Sequence, residues 1–210
     1  MSEQFDQAFW DERYRSQPAL WSGNPNRHLI AEASGLAPGA ALDVGSGEGA
    51  DAIWLAQRGW SVTAADVSAV ALQRGAAHAA QAGAATAERI RWLHADVTTW
   101  EPAPASYDLV SAQYLHLPAP GRDVLFRRLA ASVTPGGTLL IVGHHPSDLQ
   151  TTMPRPNMPE LFFTGDDIAA VLDPRQWDII TNAAAARSAT DPDGRAVTIH
   201  DTVLRARQRE

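Results

Sequence analysis

Short apolar runs alternate with amphipathic stretches from about residue 40 onward, the pattern of β-α-β units. Five buried strands are predicted, over residues 40–44, 61–65, 90–94, 107–112 and 138–143. Four helices are predicted, over residues 50–58, 68–81, 122–133 and about 164–172. Ser68 is the expected cap of the second helix, and Pro135-Gly136-Gly137 is the expected turn before the fifth strand. The pattern therefore predicts an α/β fold with a parallel sheet.

The last part of the chain has a different pattern. Two long extended stretches, residues 177–186 and 196–207, flank the turn sequence Asp191-Pro192-Asp193-Gly194. Two strands joined by a tight turn must be antiparallel. We therefore expect seven strands, mostly parallel, with an antiparallel hairpin at the C-terminal end.

A proline-rich linker follows the fifth strand. It contains Pro146, Pro154, Pro156 and Pro159, and this density of proline predicts a segment without regular structure. A long connection inside a compact domain is often a lid or a binding loop.

Composition narrows the possible chemistry. The 210 residues include no cysteine and no lysine, so a catalytic thiol, a thiolate zinc cluster and a Schiff-base lysine are excluded. The net charge of −7 argues against nucleic acid and anionic membranes as partners. The N-terminus lacks the features of a signal peptide, and no run is apolar enough to span a membrane. We expect a soluble cytoplasmic protein, monomeric or homodimeric, acting on a small molecule.

The central motif is the glycine loop at residues 42–49, Leu-Asp-Val-Gly-Ser-Gly-Glu-Gly. Its glycines let the backbone approach a ligand at a helix N-terminus. The same spacing also fits a dinucleotide fingerprint, with Asp66 placed where a ribose-binding acid would lie. Two cofactor classes therefore compete for this motif.

Charge distinguishes the two classes. Asp43, Glu48 and Asp51 lie in or beside the loop, and unit charges a few ångströms apart repel by roughly 4 kcal/mol at an effective dielectric near 20. A pyrophosphate would be repelled, whereas the ammonium and sulfonium of S-adenosylmethionine would be attracted. We therefore favour S-adenosylmethionine, with S-adenosylhomocysteine as product.

The candidate cofactor contacts follow the carboxyl ends of the strands, where open α/β sheets bind ligands. Asp43 and the loop amides are expected at the amino acid end, Asp66 at the ribose, Asp96 at the adenine, and Gln113 near the methyl group. The remaining candidates are loop residues Gly45, Ser46 and Gly47 and the apolar wall residues Val67 and Val97.

Taken together, the motifs resemble the class I S-adenosylmethionine-dependent methyltransferases. They are the glycine loop, Ala-Asp-Val-Ser at 65–68, His-Ala-Asp-Val at 94–97, Tyr-Asp-Leu-Val at 107–110 and Pro-Gly-Gly-Thr-Leu-Leu at 135–140. The resemblance implies a Rossmann-like three-layer sandwich that ends in an antiparallel seventh strand.

The flanking segments resemble the thiopurine and tellurite-resistance group of these enzymes. The similarity lies in Phe-Trp-Asp-Glu-Arg-Tyr at 9–14, Leu-Trp at 20–21, and the tail from 193 to 207. It implies that the N-terminal segment folds over the cofactor and that Trp10 and Trp21 contact it. The single domain would then comprise a helical cap (1–35), a cofactor-binding core (36–145), a substrate loop (146–163), and a C-terminal helix and hairpin (164–210).

Histidines supply the candidate base. His116 follows the fourth strand and the pair His144-His145 follows the fifth, so they are expected over one sheet edge. A metal would need a third ligand, and adjacent histidines point in opposite directions, so no metal is predicted. His116 and His145 are the candidate general bases, although an acceptor that is already ionised would need none.

The predicted reaction is in-line methyl transfer to a sulfur, oxygen or nitrogen atom of a small molecule. A protein or nucleic-acid methyltransferase is a rival, although Gln-Tyr-Leu-His-Leu-Pro at 113–118 lacks the amino-directed nucleic-acid motif. Two further rivals are a nicotinamide-dependent oxidoreductase and a non-catalytic regulator that binds the adenosyl cofactor.

Overall fold

The computed structural model describes residues 5–210. Seven strands form one sheet: β1 (Ala40–Val44), β2 (Ser61–Asp66), β3 (Ile90–His94), β4 (Tyr107–Gln113), β5 (Val133–His144), β6 (Trp177–Thr190) and β7 (Ala196–Gln208). The helices are α1 (Gln7–Arg15), α2 (Arg27–Ala33), α3 (Ala50–Gln57), α4 (Ala69–Gln81), α5 (Ala84–Ala87), α6 (Ala119–Ala131) and α7 (Gly165–Ala169). α1 and α2 lie in the predicted helical cap, whose first four residues are outside the described part.

The strand order is β3-β2-β1-β4-β5-β7-β6. The first five strands of this order are parallel, whereas β7 runs antiparallel to both β5 and β6. The predicted seven-stranded, mostly parallel sheet with an antiparallel C-terminal hairpin is confirmed. The sheet order reverses between β1 and β4, which is where such sheets bind ligands.

Two apolar clusters cover the two faces of the sheet. Leu125 and Phe126 of α6 and Ile168 of α7 pack in one cluster, whereas Leu29 of α2 and Leu55 of α3 pack in the other. Each face of the sheet is therefore buried by its own helices, as burial of two apolar sheet faces requires. The three-layer α/β sandwich is confirmed.

The region between α6 and β5 differs from the prediction. α6 begins at Ala119, three residues early, and ends at Ala131. β5 then begins at Val133, which pairs with Tyr107, before the register shifts to the pair Leu109 and Thr138. The predicted turn at Pro135-Gly136-Gly137 is therefore an irregularity inside a strand, made possible by the positive φ of Gly136.

The proline-rich linker is more ordered than predicted. It forms two short 3-10 helices, Pro146–Gln150 and Pro159–Leu161, each starting at a proline, where the missing N–H removes no hydrogen bond. The buried Asp148 anchors the linker, since it accepts hydrogen bonds from the Arg155 guanidinium (2.6 Å) and the His200 N–H (2.8 Å).

The β6–β7 hairpin extends past the end of β5. β5 pairs with β7 only as far as Asp201, whereas β6 and β7 continue to pair as far as Thr190 and Ala196. We call residues 186–200 the hairpin arm. The linker contacts the turn of this arm through the Thr152 hydroxyl, which donates to Asp191 (2.6 Å).

No helix in the described part of the chain combines the length and the apolar character needed to cross a membrane.

Gly75 of α4 offers a test of packing beneath the glycine loop. A Cβ at this position would lie 2.5 Å from the Trp92 ring and 3.3 Å from the backbone of Glu48. Gly75→Ala should lower the free energy of unfolding by about 1–3 kcal/mol through overpacking, measured by urea denaturation.

Gly121 in α6 is the matched control, because a Cβ there meets nothing within 4 Å. Gly121→Ala should leave stability unchanged or raise it by about 0.5–1 kcal/mol. Equal effects of the two substitutions would contradict the close packing at Gly75.

Candidate functional site

Buried polar atoms without a hydrogen-bond partner gather at the carboxyl edge of the sheet. Seven such side-chain atoms occur in residues 5–210. Five of them belong to residues at or just after the carboxyl ends of β1, β4 and β5. They are Asp43 Oδ2, Ser46 Oγ, Gln113 Oε1, His116 Nε2 and His144 Nδ1. Buried polar groups in folded proteins are almost always paired, so this edge is where a ligand would supply the missing partners.

Asp66, at the end of β2, holds the glycine loop. The Gly47 N–H donates to Asp66 Oδ2 and the Ser68 N–H donates to Oδ1, both at 2.8 Å. Gly45 and Gly47 have positive φ angles of 72° and 52°, which the turn requires. The sequence predicted Asp66 as a ribose ligand. Its oxygens retain free lone pairs for that role, since each binds one amide.

Asp43, the last residue but one of β1, is almost fully buried, and its Oδ2 has no partner. Burial raises its pKa well above the usual range, and the nearby carboxyl groups of Asp51 and Asp66 raise it further. Asp51 accepts the Asn26 N–H at 2.5 Å, and burial raises its pKa to about 6. The sequence placed acids beside the loop, but not this carboxyl pair of Asp43 and Asp51.

Glu48 has a different role from the one the charge pattern suggested. Its carboxylate pairs with Arg74 (2.9 Å) and accepts the backbone N–H groups of Leu20 (3.2 Å) and Trp21 (3.3 Å). Its charge is therefore compensated within the protein and is not free to repel a pyrophosphate. Glu48 instead fastens the N-terminal segment to the glycine loop.

Tyr14 and Trp21 lie over the glycine loop. The Trp21 indole N–H donates to the Tyr14 hydroxyl (3.0 Å), and a Cβ on Gly47 would lie 2.9 Å from that hydroxyl. Trp21 is 53% exposed, so it has surface free to cover a ligand. Trp10 packs against Tyr14 and Phe9 instead, one layer further from the loop. Sequence reasoning missed Tyr14, although it lies one helical turn after Trp10.

A cleft of about 850 Å³ opens between α1 and the ends of β2 and β3. Val67 and Asp96, predicted at the adenine, both line it. Asp96 Oδ1 accepts from the backbone and side chain of Thr98 at 2.9 and 2.6 Å. Val97 is buried in the core instead.

Asp11 attaches α1 to the start of α4. It accepts hydrogen bonds from the Ser68 hydroxyl (2.6 Å) and the Val70 N–H (3.3 Å). α1 therefore forms a fixed wall of the adjacent cleft. The sequence motif contains Asp11 but gave no sign of this anchoring contact.

Aromatic rings and imidazoles line the other half of the edge. Gln113 donates to Ser111 (2.9 Å) and leaves Oε1 unpaired. Tyr114 follows with a positive φ of 53°, a strained conformation for a bulky residue. The rings of His116 and His144 stack at 5.0 Å with an angle of 16°, and Tyr114 lies 4.9 Å from His144. The left-handed turn at Tyr114 thus precedes a compact aromatic group.

Both stacked imidazoles are neutral at physiological pH. Burial lowers the pKa of His116 to about 4, with a further contribution from the charge of Arg155. Burial lowers the pKa of His144 to about 3, and the charges of His116 and Arg155 act in the same direction. Neutral imidazoles can donate one hydrogen bond and accept another, but at these pKa values they are weak proton acceptors.

His145 does not join this pair. It lies 2.9 Å from the Ser147 hydroxyl, which in turn lies 3.2 Å from His200. Adjacent side chains in an extended chain point to opposite sides, so His144 faces His116 and His145 faces away. The structure therefore brings His144 beside His116, whereas His145, the other candidate base predicted from the sequence, lies against Ser147. Within residues 5–210, no three His, Cys, Asp or Glu side chains are grouped as metal ligands.

Asp201 is a fully buried charge behind the aromatic group. Its Oδ2 lies 3.0 Å from His28 Nε2 and accepts the Arg187 Nε–H at 2.8 Å. These bonds outweigh burial and hold its pKa at about 2. Burial and the Asp201 charge raise the pKa of Tyr114, which therefore stays protonated. Sequence reasoning missed this group, whose members come from α2, β6, β7 and the loop after β4.

Comparisons with known proteins agree with this geometry. Residues 41–137 match the model of the methyltransferase domain family. Uncharacterized methyltransferases of Mycobacterium bovis and Mycobacterium tuberculosis are 42% identical over 123 residues. The match covers 57% of this chain and 59% of those proteins, so the chain spans about three-fifths of their length.

Solved structures share the fold over nearly the whole chain. A structure reported as "Conversion of a Disulfide Bond into a Thioacetal Group during Echinomycin Biosynthesis" has a TM-score of 0.74 at 21% identity, covering 97% of this chain and 92% of that one. TehB of Haemophilus influenzae has a TM-score of 0.69 at 17% identity, covering 97% and 67%.

Residues 41–137 are therefore similar to methyltransferase domains, and the solved structures share the fold. These findings support the predicted resemblance to the class I S-adenosylmethionine-dependent methyltransferases, whose cofactor is S-adenosylmethionine.

Asp51→Asn tests the buried carboxyl pair. In the folded protein the pKa of Asp51 is about 6, above the ordinary value of 3.8. Between these two pH values the folded state therefore binds more protons than the unfolded state. Above them Asp51 is ionised in both states, and its ionisation in the folded state costs stability. Asparagine keeps an oxygen that accepts the Asn26 N–H. It carries no charge, so it removes the cost of ionisation. We expect the variant to be more stable than wild type by about 1–2 kcal/mol near neutral pH, with the difference vanishing below about pH 4.

Denaturant unfolding at several pH values measures this difference. Asp178→Asn is the control, because Asp178 is an exposed acid on β6 that pairs with Arg209. A variant less stable than wild type at every pH would show that Asp51 is not a destabilising charge.

Proposed function

We propose that this protein transfers the methyl group of S-adenosylmethionine to a small-molecule acceptor by in-line displacement at a sulfur, oxygen or nitrogen nucleophile. The observation that carries the proposal is the row of unpaired buried atoms from Asp43 to His144. These atoms lie at one edge of the sheet, near the glycine loop and the imidazole pair, and they support a site with a cofactor half and an acceptor half.

The cofactor half suits the chemistry of the adenosyl group. Asp43 and the amides of the glycine loop would hold the amino acid end, Asp66 the ribose, and Asp96 with Val67 the adenine in the cleft beside α1. Asp43 offers a free buried oxygen for an ammonium group. Trp21, which is exposed and seated on the loop, would cover the bound ligand.

The cofactor supplies an activated methyl group, so the protein need only position the acceptor and exclude water. Gln113 Oε1 and the free nitrogens of His116 and His144 would orient the acceptor by hydrogen bonds. Their low pKa values favour this positioning role over a general base at neutral pH. An acceptor that reaches the site ionised, such as a thiolate, needs no base.

The surroundings of the acceptor half favour a small molecule. The linker is attached to the sheet at Asp148 and to the hairpin arm at Asp191, so both segments stand beside the carboxyl edge. The net charge of −7 gives no broad attraction for a nucleic acid.

Asp66→Asn tests the cofactor half. We expect the dissociation constant for S-adenosylhomocysteine to rise about 10- to 100-fold, through the loss of charge-assisted hydrogen bonds to the ribose and the loop, measured by calorimetric titration.

Asp108→Asn is the matched control, because Asp108 also accepts a backbone N–H, that of Ala40 (2.8 Å), but at the opposite edge of the sheet. The affinity of Asp108→Asn for S-adenosylhomocysteine should equal that of wild type. Unchanged affinity in Asp66→Asn would remove Asp66 from the cofactor site.

His116→Gln tests the acceptor half. With radiolabelled cofactor and a panel of thiols, phenols and heterocycles, we expect the acceptor KM to rise about tenfold through one lost hydrogen bond. The affinity for S-adenosylhomocysteine should not change. His145→Gln should resemble wild type, since His145 faces Ser147.

The pH profile distinguishes positioning from base catalysis. With an acceptor that does not ionise, the rate should show no inflection near pH 6.5, because the two imidazoles have pKa values of about 4 and 3. An inflection near 6.5 that disappears in His116→Gln would instead establish His116 as the base. No transfer to any acceptor, despite tight cofactor binding, would favour a regulator.

A further inference from the structure

Three carboxyl groups surround the glycine loop without a cationic partner. Asp43, Asp51 and Asp66 take part in none of the ion pairs of the described residues, whereas the neighbouring Glu48 pairs with Arg74. Asp43 and Asp66 are also almost fully buried. Uncompensated buried carboxylates are costly, and such groups tend to hold a proton instead.

The hydrogen bonds around these groups show where such a proton would lie. Burial raises the pKa of Asp66, but an amide N–H on each of its oxygens opposes this shift. Asp51 has the Asn26 N–H on Oδ1. Asp43 accepts one backbone N–H, that of Ala52, but its buried Oδ2 has no donor, so this oxygen is where a proton would lie.

The charged groups on the surrounding elements do not change this balance. α1 contributes Asp11 and Tyr14, of which Asp11 is hydrogen-bonded to Ser68. Tyr14 is kept protonated, because burial and the charge of Asp66 raise its pKa. The Arg74 charge, from α4, is taken up by Glu48. On α2, His28 pairs with Asp201 and Glu32 pairs with Arg205, both of β7, whereas Arg27 donates to the Ala186 carbonyl of β6.

We propose that Asp43 holds a proton in the cofactor-free protein and that binding of the adenosyl cofactor releases it to solvent. The ammonium group of the ligand would take the place of the proton beside Asp43 Oδ2, the free buried oxygen. This inference rests on the proposed function, which places the amino acid end of the cofactor at Asp43.

Cofactor binding and protonation are then linked. A ligand that releases a proton binds more tightly as the pH rises, by up to about tenfold per pH unit for a full proton. The affinity for S-adenosylhomocysteine should therefore increase with pH over the range in which the cofactor-free protein still holds the proton and the ligand's own ammonium is protonated.

Calorimetric titration of the full chain with S-adenosylhomocysteine tests the proposal. The titration is repeated at about pH 6.5 in several buffers with different heats of ionisation, and the slope of observed enthalpy against buffer heat gives the number of protons released. We expect roughly 0.5–1 proton per ligand bound.

Two variants and a control assign the source of the proton. Asp43→Asn should abolish the release even where its affinity is lower, and Asp51→Asn should reduce it, because it removes the neighbouring negative charge that raises the pKa of Asp43. Asp178→Asn, an exposed acid on the outer strand β6, should release as many protons as wild type.

The outcomes separate this inference from the proposed function. Tight binding with no proton released by wild type would overturn the inference and leave the methyltransferase proposal standing. Release that persists undiminished in both Asp43→Asn and Asp51→Asn would also overturn it, since another group would be the source. No binding at any pH would overturn both.

Discussion

The hydrogen bonds of Asp66 to the amides of Gly47 and Ser68 are the constraint on which the cofactor half of the molecule depends. They join the loop after β1 to the start of α4, so the ends of two neighbouring strands keep a fixed separation. Other contacts are built on this bridge. Asp11 binds the Ser68 hydroxyl, and the Tyr14 hydroxyl lies against Gly47. The Asp66 carboxylate therefore positions the glycine loop, and the loop in turn positions the N-terminal segment.

The buried acids at the two ends of this sheet edge differ in whether they have a cationic partner. Around the glycine loop, Asp43 and Asp51 lack a cationic partner, which suits a ligand that brings positive charge. Beside the imidazole pair, the buried acids Asp148 and Asp201 each have an arginine, Arg155 and Arg187. The buried charges beside the imidazole pair are therefore compensated within the protein.

The sequence was sufficient for the parts of the molecule that are local in the chain. Hydrophobic periodicity predicted all seven strands. The motif spacing predicted that Asp66 lies beside the glycine loop, where it accepts the Gly47 N–H, and its role at the ribose stays a prediction. The aromatic group was harder to predict. Whether His144 or His145 faces His116 depends on the pleat at the end of β5, which one residue of slippage would reverse.

Long-range contacts were beyond the reach of sequence patterns. Asp201 is separated from His28 by 173 residues. Its strand has the sequence pattern of an ordinary hairpin strand, which gives no sign of this contact. Glu48 is a second example. The sequence shows no partner for its carboxylate, whereas in the structure it contacts Arg74 and the N-terminal backbone. A residue type and its position in a strand do not show which partners will neutralise it.

The attachment of the proline-rich linker has a consequence for how this protein could diversify. Its fixed points are Asp148 near the start and Thr152 at the hairpin arm, and it re-enters the core at Phe162 and Phe163. Among the residues between these points, Arg155 pairs with the buried Asp148, whereas residues 156 to 160 carry none of the sheet. Insertions or exchanges at residues 156 to 160 would therefore change this surface at little energetic cost to the sandwich. Related chains could vary this one segment while keeping the same sheet and glycine loop.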